Sequence, residues 1–351
     1  MASESSNNVL NLTPDQLKAK FKELGIEAYR ADQVLDWIYE KGVYDFSKMT
    51  NLSLPLREKL PTVLSIQMPE QVARHKSDGD QSTKLLLKLA NGDTVETVYM
   101  PMPKVDRQTV CVSTQVGCKF HCAFCASGQN GFFRNLKMGE IIAQVLLARD
   151  LSKNKKLTNI VFMAIGEPLD NYPELLKTIR TLNSKNAFGI GARKITISTC
   201  GVVPKIEALS DEGLQVELSV SLHGPNDTVR GAVMPVNQAY PVRMLIDTCK
   251  KYVKKTKRSI TFEYILIKGV NAGEREAREL TRLLKGMLCK INLIPYNPIE
   301  EFPHVAPSYE EVVNFQQILQ EGGIRTTVRF SKGQDIQAAC GQLRSIGLKK
   351  K

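Results

Sequence analysis

Apolar residues first fall into register after Thr13-Pro14-Asp15, where Leu17, Phe21 and Leu24 recur at the spacing of one helix face and Gly25 supplies a stop. Thr13 suits the cap and Pro14 the first helical position. A second helix is predicted over 31–41, where Val34, Leu35, Trp37, Ile38 and Tyr39 make a broad apolar face with Trp37 in the core. A third helix follows Leu54-Pro55, and residues 1–12 read as a polar, frayed start. The pattern then changes. Runs over 84–90 and 94–100 flank Asn91-Gly92, a hairpin signal, and Pro101 and Pro103 mark a boundary. From about 105 onward strand-like runs over 109–113, 159–163, 194–198, 217–221, 261–267, 291–294 and 326–330 alternate with helical stretches; Met138, Ile141, Ile142, Val145 and Leu146 share one helix face. Repeated βα units imply parallel strands. The predicted fold is therefore α/β: a partial, open βα barrel over 105–345, preceded by a helical accessory module over 1–64 and a β-hairpin connector over 65–104, and followed by a basic tail over 346–351.

The chemistry-bearing residues fall at the carboxyl ends of those strands, where βα barrels carry function. Cys118 follows the first barrel strand, Gly166-Glu167-Pro168 the second and Asn297 the sixth, while Ser198 ends the third and Ser221-Leu222-His223 the fourth.

Charge narrows the partners. Lys+Arg 48 against Asp+Glu 36 gives a net +12, which favours a polyanion. Basic runs lie at 153–156, 250–258 and 349–351, where each taken alone reads equally well as a solvated face or a chain end. No apolar run approaches a membrane span, and the start lacks a secretion signal, so a cytoplasmic protein is expected. Eight cysteines, three of them clustered, suggest a metal or catalysis rather than a disulfide framework.

Those three, Cys118, Cys122 and Cys125, form a C-x3-C-x2-C run. Three thiolates at this spacing suit three irons of a 4Fe-4S cluster and leave the fourth iron open. The amine and carboxylate of S-adenosylmethionine can fill it, and an electron from the cluster can split the sulfonium to a 5'-deoxyadenosyl radical. The alternative is a zinc knuckle with His121 as fourth ligand, but structural zinc favours four ligands and C-x2-C pairs.

The cysteine loop together with Gly166-Glu167-Pro168 resembles the radical S-adenosylmethionine superfamily. The runs 111–118, 132–136, 197–204, 221–227, 292–298 and 335–343 resemble the RlmN/Cfr family of radical S-adenosylmethionine RNA adenosine methyltransferases over nearly the whole chain. The resemblance implies that Cys118, Cys122 and Cys125 hold the cluster. It implies that Gly166, Glu167, Ser198, Ser221, Leu222, His223 and Asn297 hold S-adenosylmethionine, His223 through its backbone. By the same resemblance Cys340 is the cysteine that becomes methylated, Cys111 is its resolving partner and Glu96 is the general base. Chemistry supports such roles independently. An adenine ring carbon is no nucleophile for a sulfonium methyl, whereas a thiolate is. A radical from a second S-adenosylmethionine can activate the thiomethyl group to add to the ring. A base then takes the ring proton, and a second thiol frees the product as a disulfide forms. Each thiol taken alone also reads as packing, and Glu96 as a solvated strand carboxylate; Cys200, Cys249 and Cys289 read as packing residues.

The resemblance implies an enzyme that uses one 4Fe-4S cluster and two S-adenosylmethionine molecules per turnover to methylate carbon 2 of an adenosine in 23S rRNA and in tRNA; a monomer is expected, although the sequence itself does not encode the oligomeric state. An electron donor such as flavodoxin or ferredoxin and a thiol reductant for a Cys111–Cys340 disulfide would serve it. Two other functions fit the residues: carbon-8 methylation conferring antibiotic resistance, and a non-catalytic iron–sulfur RNA-binding protein. Two departures from the family pattern stand close to Cys340: Gln337 at a commonly acidic position, and 330–335 in place of a more basic stretch.

Overall fold

The computed structural model describes residues 7–152 and 156–345. The expected fraying of residues 1–6, most of the basic run 153–156 and the basic tail fall outside the described residues. Helix α1 (Pro14–Glu23) starts on a capping box: Gln16 N–H donates to Thr13 Oγ1 at 3.3 Å, and Thr13 N–H donates to the Gln16 side chain at 3.0 Å. Helix α2 (Tyr29–Leu35) runs on into a π-helical stretch at Asp36–Glu40, and α3 (Leu54–Val63) follows. Trp37 is half-buried rather than central and donates Nε1–H to Asn51 Oδ1 at 2.6 Å. Residues 7–12 do not fray. Val9 and Leu10 are fully buried, and Val9 N–H donates to Ser65 O at 2.9 Å, because this apolar pair completes the core of the three helices. The module packs on α4 (Met138–Arg149): Asn11 Oδ1 accepts Gly139 N–H at 2.8 Å, and the buried Arg149 guanidinium donates to Tyr39 O.

Strands β1 (Glu70–Lys76), β2 (Thr83–Lys88) and β3 (Thr94–Met102) pair antiparallel, and β3 pairs antiparallel with β4 (Arg107–Cys111). A separate hairpin, β5 (Gln115–Gly117) with β6 (Phe132–Asn135), brackets the cysteine loop. The sheet then continues with parallel neighbours: β7 (Asn159–Phe162), β8 (Ile195–Thr199), β9 (Glu217–Ser221), β10 (Ile260–Leu266), β11 (Cys289–Pro295) and β12 (Arg325–Val328). The ten strands lie in the order β1-β2-β3-β4-β7-β8-β9-β10-β11-β12, so the sheet is open, with β1 and β12 at its edges. Helices α5 (Tyr172–Asn183), α6 (Val203–Leu209), α7 (Asp227–Val233), α8 (Val242–Thr256), α9 (Glu274–Leu284) and α10 (Tyr309–Glu321) occur along the parallel part. All seven residues of β10 are buried, as expected for a strand covered on both faces.

Candidate active site

The cysteine loop is shaped by glycine and backbone bonds. Gly117 has φ +73°, and a Cβ there would lie 1.9 Å from Gly131 O, so no other residue fits this turn. Cys118 N–H donates to Gly131 O at 3.0 Å, and Ala123 N–H to Val233 O at 2.9 Å at the end of α7. Ala126 N–H donates to Gly341 O at 2.7 Å, joining the loop to the segment that carries Cys340. The Phe124 ring meets His223 edge-on, with centroids 4.7 Å apart.

Cys118, Cys122 and Cys125 are free and line one cleft of about 850 Å³. Burial pushes all three thiols up, Cys118 to about 12. They would stay neutral without an electron-poor group to ionise them, which a bound iron does. Among the described residues no three His, Cys, Asp or Glu side chains converge on a single metal ion, and His121 is exposed. Three cysteine thiols on one cleft suit a multi-iron cluster, and His121 does not line that cleft with them.

Gly166, Glu167, Ser198, Ser221 and His223 line the same cleft. Gly166 has φ +100°, and a Cβ there would meet the Gln115 side chain at 2.5 Å. The buried Glu167 carboxylate does not project as a free anion. It accepts Leu169 N–H at 2.9 Å and Cys200 N–H at 2.7 Å, so it ties the loops after β7 and β8 together. His223 is also locked: Nδ1 accepts Ile265 N–H at 3.0 Å, and its carbonyl accepts from Asn271 at 2.9 Å. Burial, with Arg230 adding to it, holds the imidazole down to about 3, so the ring is neutral. Two of the expected residues sit back from the cleft. Leu222 is fully buried in the core. Asn297 turns to the Cys340 segment, donating Nδ2 to Ser331 Oγ at 2.8 Å and to Cys340 O at 3.2 Å.

A second cavity of about 570 Å³ lies alongside, lined by Cys111, Val98, Met100 and Leu343 among others. Cys125, Met163, Ala164, Arg329, Cys340 and Gly341 line both cavities. Cys340 is therefore presented both to the cleft of the cysteine loop and to the chamber of Cys111. Burial, then the neighbouring Cys340, pushes the Cys111 thiol up to about 12, while Arg329 opposes. Glu96 stands on β3, which pairs with the Cys111 strand, but its carboxylate is engaged by Lys84 Nζ at 3.1 Å and by Arg344 N–H at 2.8 Å. Gln337 is exposed with φ +51°, its carbonyl accepts Lys84 Nζ at 3.2 Å, and it lines neither cavity.

The sequence reading missed three cleft residues. Cys200, read as packing, lines the cleft beside Glu167. Glu263 is a buried acid, held by Asn292 Nδ2 at 2.8 Å and pushed up by burial. Its signal was a carboxylate inside a largely apolar strand. Arg329 follows β12, and nothing in its local pattern marks it.

Residues 7–66 match the ribosomal RNA large subunit methyltransferase N-terminal domain, and residues 112–280 match the radical SAM superfamily. The chain is 46% identical over 337 residues to a probable dual-specificity RNA methyltransferase RlmN of Clostridium tetani, covering 96% of this chain and 95% of that one. The probable dual-specificity RNA methyltransferase RlmN of a Thermoanaerobacter species is also 46% identical, covering 98% and 99%. The crystal structure of a radical SAM methyltransferase from Sphaerobacter thermophilus superposes with a TM-score of 0.93 at 44% identity, covering 96% of this chain and 99% of that chain.

Proposed function

The chain belongs to the RlmN family of radical SAM RNA methyltransferases, and from that membership we propose that it methylates carbon 2 of an adenosine in 23S rRNA and in tRNA through a methylated Cys340. The observation that carries this reading is the placement of Cys340 on both cavities, with the cysteine loop on one side and Cys111 on the other. When bound, the 4Fe-4S cluster on Cys118, Cys122 and Cys125 and two S-adenosylmethionine molecules per turnover supply a methyl group and a hydrogen-abstracting radical.

The rest is work for the chain's own residues. Gly166, Glu167, Ser198, Ser221 and His223 shape the cofactor cleft, Leu222 backs it, and Asn297 holds the Cys340 segment against it. The Cys340 sulfur accepts the methyl carbon and then links the protein to the ring. Glu96, once its bond to Arg344 opens, accepts the proton lost from ring carbon 2, and the unpaired electron left on the ring would pass to the oxidised cluster, so that a closed-shell adduct remains. The Cys111 thiolate attacks the Cys340 sulfur. An S–S bond forms and the S–CH2 bond breaks, its electron pair staying on the carbon, which takes a proton to become the methyl group. A thiol reductant resets the pair, and a small electron carrier such as flavodoxin or ferredoxin serves the cluster. The module over 7–66 and the basic surface grip RNA by phosphates and shape. No helix among the described residues is long and apolar enough to cross a membrane. We place the protein in the cytoplasm, where its RNA substrates are, as a monomer.

The test is anaerobic incubation of cluster-loaded protein with reductant, S-adenosylmethionine and unmodified 23S rRNA or tRNA, followed by nucleoside mass spectrometry. A 2-methyladenosine peak is expected. An 8-methyladenosine peak would assign the other ring carbon, and no methyladenosine with an intact cluster would leave an RNA-binding protein without this catalysis.

A further inference from the structure

The segment between β12 and Cys340 carries one large side chain that the proposed reaction does not use. Phe330 is 61% exposed. It joins none of the hydrophobic clusters and pairs with no aromatic ring among the described residues. A single exposed apolar residue is ordinary on a protein surface. What distinguishes Phe330 is its place. Arg329 before it lines both cavities, and Ser331 and Lys332 after it line the Cys111 chamber.

Its two neighbours are anchored to the fold. Arg329 N–H donates to Leu293 O at 2.8 Å, and Ser331 Oγ accepts Asn297 Nδ2 at 2.8 Å. Phe330 thus stands exposed between anchored neighbours that line the reaction chamber. The nearby Lys332 ammonium turns to Pro101 O at 2.8 Å. At this point the rim offers RNA an exposed aromatic face beside the cationic Arg329 and Lys332.

A base that must reach Cys340 has to leave its stack, which uncovers the face of its neighbour. Aromatic side chains bind such faces on single-stranded RNA. Resting on the reading of RNA as substrate, we infer that Phe330 is a stacking platform for the nucleobase adjacent to the target adenosine. It is a binding and specificity residue for RNA, distinct from those that hold the cofactors.

The experiment uses cluster-loaded full-length protein and an RNA hairpin with 2-aminopurine placed on the 5' or the 3' side of the target adenosine. Wild-type protein is expected to quench the probe on one side. Phe330→Ala and Phe330→Leu lose the quenching, while Phe330→Tyr and Phe330→Trp keep it. The KM for RNA rises about 5- to 150-fold in the alanine and leucine variants, with kcat at saturating RNA and the salt dependence of binding retained. Iron content equal to that of wild type shows that each variant is folded. Equal KM and equal quenching across all five proteins would overturn the platform. So would a leucine variant that behaves like tyrosine, because apolar contact alone would then suffice. If wild-type protein methylates no RNA, the underlying reading fails, and the platform with it; wild-type turnover with insensitive variants sinks the platform alone.

Discussion

The Glu96 carboxylate accepts the backbone N–H of Arg344 at 2.8 Å, joining positions 248 residues apart in the chain. The same carboxylate pairs with Lys84, and Lys84 donates to Gln337 O. Cys340 is strapped down between these two attachments. Lys84→Met breaks a nearly buried ion pair, which costs about 3 kcal/mol. Hydrogen exchange over 333–345 should accelerate and RNA methylation should slow, while iron content is retained. Unchanged exchange in that segment would mean Lys84 does not hold it.

The resolving step should follow pH. With its thiol pushed up to about 12, Cys111 is ionised in only about one molecule in 10⁴ at pH 8. The thiolate is the attacking form. Release of methylated RNA from a pre-formed protein–RNA adduct should therefore quicken about tenfold per pH unit between about pH 7 and 9. A pH-jump followed on denaturing gels measures it, and Cys111→Ala should hold the adduct at every pH. A flat profile would take the resolving role away from this thiol.

His223 makes stability acid-sensitive. Its folded value, about 3, lies below the unfolded 6.5. Below pH 6.5 the unfolded chain takes up a proton that the folded chain refuses until about pH 3. This contribution is fully present above 6.5 and is lost as pH falls through that window. By pH 4.5 the loss is about 3 kcal/mol. His223→Asn, an exchange compatible with the left-handed φ of +55°, should lose about that much less stability between pH 8 and pH 4.5 in urea unfolding. Equal losses in the two proteins would show that the imidazole titrates normally.

Gly117→Ala tests the cysteine loop. Its Cβ would collide with Gly131 O, and its backbone would be held left-handed. Bound iron and sulfide should drop to a small fraction of the wild-type amount. Full loading would show that the turn tolerates a side chain.

The parallel strands and the start of α1 were legible because burial imposes a period on the sequence. β9 lies at 217–221 as read, and the Thr13 box caps α1. β1 was not legible: six of its seven residues are exposed on an edge, so Glu-Gln-Val-Ala-Arg-His-Lys shows no alternation. The strand expected over 326–330 ends at Val328, because Arg329 turns to the cavities and Phe330 to solvent. The cysteine motif located the cleft, since its spacing is local. The clasp of Glu96 on Arg344 and the burial of Glu263 depend on partners far along the chain, which no local pattern encodes. The same holds for Glu167: the sequence marked the residue, but only the fold shows that its carboxylate is taken up by Leu169 and Cys200.

The position of Cys340 beyond the last strand sets an order of events during synthesis. A growing chain exposes the three loop cysteines roughly 200 residues before it exposes Cys340. At about 5–20 residues per second, that leaves about 10–40 s in which the sheet can form around the loop. Cys111 and Cys340 share a cavity only in the folded chain, and no bond between them can form until Cys340, beyond the last strand, has been made. A product truncated after β12 would keep the loop cysteines and every strand among the described residues, yet lack Cys340.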